Sequence, residues 1–86
     1  MSDLALPAIH NNGSGKKNLY RQLRNSVEAL HGALETMREM APHGRDYYTQ
    51  DESVFPKARA QYKDQVLKVT EVKEQIEKIY HSIDWE

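Results

Sequence analysis

Residues 55–83 read FPKARAQYKDQVLKVTEVKEQIEKIYHSI, and within them Phe55, Tyr62, Val69, Ile76 and Ile83 fall every seventh residue, with Ala58, Val72 and Ile79 interleaved. That repeat is the mark of a helix that lays one edge along another helix. The partner lies upstream, where Tyr20, Leu23, Val27, Leu30, Leu34, Met37 and Ala41 keep an apolar stripe on one helical face. Two long helices with one seam each predict an antiparallel hairpin.

The flanking sequence sets the boundaries. Pro7 bars helix at Leu6, and Asn11-Asn12-Gly13-Ser14-Gly15 is turn-forming, so residues 1–15 read as an extended arm with Leu4, Leu6 and Ile9 to bury. The first helix is expected over 15–41, capped by Ser14 or starting as late as Asn18, and stopped by Pro42. Residues 42–52 form a connection longer than the usual ~2–8 residues. The second helix is expected over 53–84, starting at Ser53 or Phe55 so that Pro56 sits in its first turn. Gly32, inside the first helix, is either a tolerated surface glycine or a point where another backbone or a ligand approaches.

One hairpin of 86 residues shares a single face, while Leu19, Ala29, Ala33, Met40, Val66, Leu67 and Tyr80 lie off or beside the seams. The expected fold is therefore all-α: a single hairpin domain, 1–86, that assembles into a helical-bundle homo-oligomer. Without cysteine there is no disulfide or thiolate metal site. A net charge of −1 with 29% charged residues argues against nucleic acid as a partner. The run Leu4–Ile9 follows Asp3 and is too short for a signal sequence, so neither secretion nor a membrane span is expected, and a cytoplasmic location is the default.

Four stretches invite a chemical reading. Gly13-Ser14-Gly15-Lys16-Lys17 is not a Walker A loop, since His10 stands where its first glycine belongs and Lys17 where its hydroxyl residue belongs. It still leads glycine-rich backbone into a helix start carrying Lys16, Lys17, Arg21 and Arg24, which is either an anion site or an ordinary helix start with solvated lysines. Glu28 with His31 and Glu77 with His81 have metal-like spacings but lack the second Glu-x-x-His of a di-iron bundle, so surface pairing is expected and no metal. Gly44-Arg45-Asp46-Tyr47-Tyr48 offers a guanidinium fork, flat faces and hydroxyls, suited either to a small molecule or to sealing the hairpin end over Met37, Met40 and Phe55. At the end of the chain, Trp85 lies outside the heptad and is expected to dock on a neighbour. No residues suggest a nucleophile system, and neither enzymatic activity nor a cofactor is expected.

In its size, its hairpin content, its basic glycine-rich helix start and its arginine–tyrosine loop, the chain resembles the small phage-encoded sponge proteins of the anti-CBASS and anti-Thoeris type. The Gly-Tyr-Arg segment of the hairpin sponges has its nearest counterpart in Leu19-Tyr20-Arg21, where leucine replaces glycine. The resemblance implies sequestration, in the host cytoplasm, of a cyclic-nucleotide or ADP-ribose-derived signal at subunit interfaces, with tyrosine stacking bases and basic residues neutralising phosphate. The expected ligand-binding residues are His10, Asn11, Asn12, Ser14, Lys16, Lys17, Arg21, Arg45, Tyr47 and Tyr48. The competing expectation is a structural or protein-interaction hairpin that binds a partner protein through its seam or its exposed apolar flank.

Overall fold

A computed structural model describes residues 4–7 and 13–83. Among them, helix α1 spans Gly13–Met37 and helix α2 spans Val54–His81, and the two pack against each other as a hairpin. Residues 4–7 are neither helix nor strand, and the described residues contain no strand.

Both helices start close to the expected positions, at Gly13 and Val54, but neither is capped as expected. α1 begins at Gly13, ahead of Ser14, so Ser14 lies inside the helix and is not its cap. At the start of α2, Ser53 is already in helical conformation and its hydroxyl makes no capping bond; the Asp51 carboxylate accepts the Ser53 N–H instead, at 3.1 Å. Asp51 thus satisfies a donor that has no partner inside the helix. Pro56 is the third residue of α2, within the turn whose N–H groups are unpaired in any helix.

α1 stops sooner than expected as an α-helix. Its last turn tightens into a 3-10 turn over Arg38–Met40, closed by the Ala41 N–H donating to the Arg38 carbonyl at 3.3 Å. Pro42 explains this, because it disfavours helical angles at Ala41, and that residue adopts an extended ψ of 134°. A second 3-10 turn, Gly44–Asp46, follows within the connection.

The stripe read on α1 lies at the seam, with Tyr20, Leu23, Val27, Leu30, Leu34 and Met37 all half-buried. On α2 the seven-residue row stays covered along its length, with Phe55, Tyr62, Val69 and Ile76 half-buried and Ile83 buried. Of the interleaved positions Ala58 and Ile79 are half-buried, but Val72 is 46% exposed, while Tyr80 and Val66, expected beside the seam, are half-buried. Two polar contacts fix the register between the helices: Tyr62 Oη donates to the Met37 carbonyl at 3.0 Å, and the Tyr80 hydroxyl donates to that of Tyr20.

The hairpin leaves much surface uncovered. Only Ile83, at 6% exposure, is buried among the described residues. The molecule measures 62 × 26 × 14 Å, and its radius of gyration of 18.6 Å exceeds the roughly 12 Å of a compact domain of this length. It is a single layer of two helices, where stable domains have at least two layers.

Candidate functional site

The expected binding residues fall at the two ends of the hairpin. Lys16, Lys17 and Arg21 occupy the first turns of α1, and Arg45, Tyr47 and Tyr48 occupy the connection beyond its last turn. α1 has 25 residues, so at ~1.5 Å per residue the groups are separated by most of a helix about 37 Å long. One subunit does not bring them together. His10, Asn11 and Asn12 lie outside the described residues, as do the side chain of Ser14 and the whole of Trp85.

At the loop end the aromatic pair divides its work. Tyr47 is half-buried against Phe55, with ring centroids 5.9 Å apart, and the Arg59 guanidinium sits 5.7 Å from the Phe55 ring centre. A methyl group at Gly44 would meet the same phenyl ring at 3.6 Å, an ordinary contact distance. Phe55 is thus the platform on which the connection is folded. The turn is closed by Asp46 N–H to the His43 carbonyl at 3.0 Å and Tyr47 N–H to the Gly44 carbonyl at 2.9 Å. Tyr48, by contrast, is 80% exposed, and Arg45, in the same turn segment, is exposed too. Of the two readings of this stretch, Tyr47 fits the sealing role, and Tyr48 with Arg45 is left facing solvent.

At the other end Lys16 is half-buried, Lys17 is exposed, and the Arg21 guanidinium is drawn back along the helix to donate to Asn18 Oδ1 at 3.2 Å. Near it lies a cleft of about 210 Å³ lined by Arg24, Val27, Glu28, Glu77, Tyr80 and His81. Tyr80 lines it and packs in turn on Tyr20, ring centroids 4.7 Å apart, and His81 stands edge-on to Tyr80 at 5.3 Å. The Tyr80 phenol is held above its ordinary value, first by its hydrogen bond to Tyr20, then by desolvation and by Glu28, with Arg24 opposing.

Of the sequence pairs Glu28–His31 and Glu77–His81, only the second stays together in lining one cleft. His31 faces Glu35 at 3.7 Å, Glu77 accepts from Lys73 at 3.3 Å, and no group of three or more acidic or histidine residues suited to a metal occurs among the described residues. What sequence reasoning missed is that Glu28 and Glu77, from different helices, share one cleft with Arg24 and His81. Spacing within each helix shows the four groups, but only the register set by Tyr20 and Tyr80 brings them level.

No helix among the described residues is long and apolar enough to cross a membrane. Comparison with protein-family models, with curated proteins and with solved structures finds no match to this chain.

Proposed function

We propose that the chain is a non-enzymatic, self-associating helical hairpin that binds a phosphate-bearing, nucleotide-derived small molecule between subunits. The observation that carries this reading is the braced loop: Tyr47 anchors the turn on Phe55, which holds the neighbouring Tyr48 and Arg45 out toward solvent. An exposed ring and an exposed guanidinium on one loop suit a base or ribose joined to a phosphate. Lys16, Lys17 and Arg21, at the positive end of α1, supply charge for phosphate from the opposite end of another hairpin. The two groups stand at opposite ends of a helix of 25 residues, which favours a site completed by two chains, and sequestration requires affinity alone.

The test is a thermal-shift panel of cyclic dinucleotides, ADP-ribose and inorganic phosphate, followed by native mass spectrometry of the protein as purified. A ligand that raises the melting temperature should lose its effect with Arg45→Ala or with Lys16→Ala, and mixing the two variants should restore part of it. Restoration identifies a shared site, because only a mixed assembly holds both wild-type residues at one interface. If no nucleotide stabilises the protein, or if mixing restores nothing, this reading fails. A structural or protein-interaction hairpin is the second reading, favoured by the exposed Leu67 and Val72 on α2.

A further inference from the structure

The two broad sides of the hairpin differ in charge. At roughly 100° per residue, the side that bears the cleft carries Arg24, Glu28 and His31 from α1 and Lys63, Glu77 and His81 from α2. The reverse side follows from the same geometry. There Leu19, Ser26 and Ala33 run at seven-residue spacing along α1, and Gln65, Val72 and Ile79 run likewise along α2; the row on α2 is flanked by Lys68, which pairs with Asp64 at 2.9 Å, so this side is weakly charged where the cleft side is strongly so.

We infer that this weakly charged side is the surface on which a second copy of the chain docks, giving a two-layer, four-helix bundle. The inference rests on the reading that the chain self-associates, and it assigns the face. Area supports a second copy as the occupant: the chain exposes 7013 Å², about a third more than the ~5,200 Å² expected of a compact monomer of its mass. A standard dimer interface removes about 800 Å² from each partner, well within that excess. Symmetry supports the weakly charged side. A two-fold axis sets the same patch against itself, and the cleft side would have to desolvate Arg24, Glu28 and Glu77, at a cost only excellent pairing recovers. Ser26 and Ala33 are small enough for two helix layers to approach closely. Leu67, although 56% exposed, stands apart between Lys63 and Glu71, a single exposed leucine of an ordinary kind.

The chain has no cysteine, so single-cysteine variants report the face directly. Ser26 and Val72 lie level near the middle of the weakly charged side, and Glu28 and Glu74 serve as controls on the other. Sedimentation first establishes that each variant keeps the wild-type assembly, and a short bismaleimide is then added. Covalent dimers from Ser26→Cys or Val72→Cys, with none from Glu28→Cys or Glu74→Cys, are the expected result. If the wild-type protein is oligomeric but dimers form through Glu28→Cys or Glu74→Cys, or through neither side, the face assignment is overturned while self-association stands. A monomeric wild type overturns both.

Discussion

The Tyr62 hydroxyl donates a hydrogen bond to the Met37 carbonyl oxygen, 3.0 Å away, across the seam between α1 and α2. Met37 closes the α-helical part of α1, where the chain tightens into the 3-10 turn Arg38–Met40. One side chain of α2 therefore adds a donor at the end of α1 and sets where the two helices stand along each other. Tyr62→Phe should cost about 1 kcal/mol and lower the melting temperature by about 4–8 °C at fixed protein concentration. An unchanged melting temperature would show that water replaces the bond at no cost.

Gly32 stands within α1, where a methyl group in place of its hydrogen would have no neighbour within 4 Å in the hairpin. Gly32→Ala should accordingly stabilise the protein by up to ~1 kcal/mol, the helix-propensity difference between the two residues. Thermal denaturation measures it. A loss of stability would mean that another backbone or a ligand approaches this face in the assembled protein.

Phe55 holds Tyr47, Arg59 and the backbone at Gly44 together. Because the ring is half-buried, Phe55→Ala should cost about 2–3 kcal/mol, below the range for fully buried phenylalanine. Hydrogen exchange should accelerate at the Asp46 and Tyr47 amides before it does in the middle of α1. Uniform acceleration along the chain would show that the loop and the helices open as one unit.

The raised pKa of Tyr80 has a defined consequence for pH dependence. A phenol whose pKa is higher folded than unfolded lends stability that is fully present below the unfolded value, ~10, and is lost as pH rises through the folded value. The wild-type melting temperature should therefore fall more steeply above about pH 10 than that of Tyr80→Phe. Parallel curves for the two proteins would rule out the Tyr80–Tyr20 bond as the source.

The hairpin is legible in the sequence because apolar spacing reports directly which edge of each helix is covered, as Leu23, Leu30 and Tyr62 illustrate. The placement of Val72 and Tyr80 is not, because the phase between a seven-residue repeat and a 3.6-residue helix depends on how many partner helices the seam must meet. Asp51 displaces Ser53 as the donor's partner at the start of α2 through a turn geometry that composition does not specify. Of the site, the separation of Lys16 from Arg45 could be read from helix length alone. The meeting of Arg24, Glu28, Glu77 and His81 could not, since it depends on the register between helices.

Self-association underlies both the proposed binding site and the assigned face, and sedimentation velocity of the wild-type protein across the micromolar range tests it most directly. The account predicts a species whose mass is a multiple of 10.0 kDa, persisting on dilution. A single 10.0 kDa species at every concentration would contradict it.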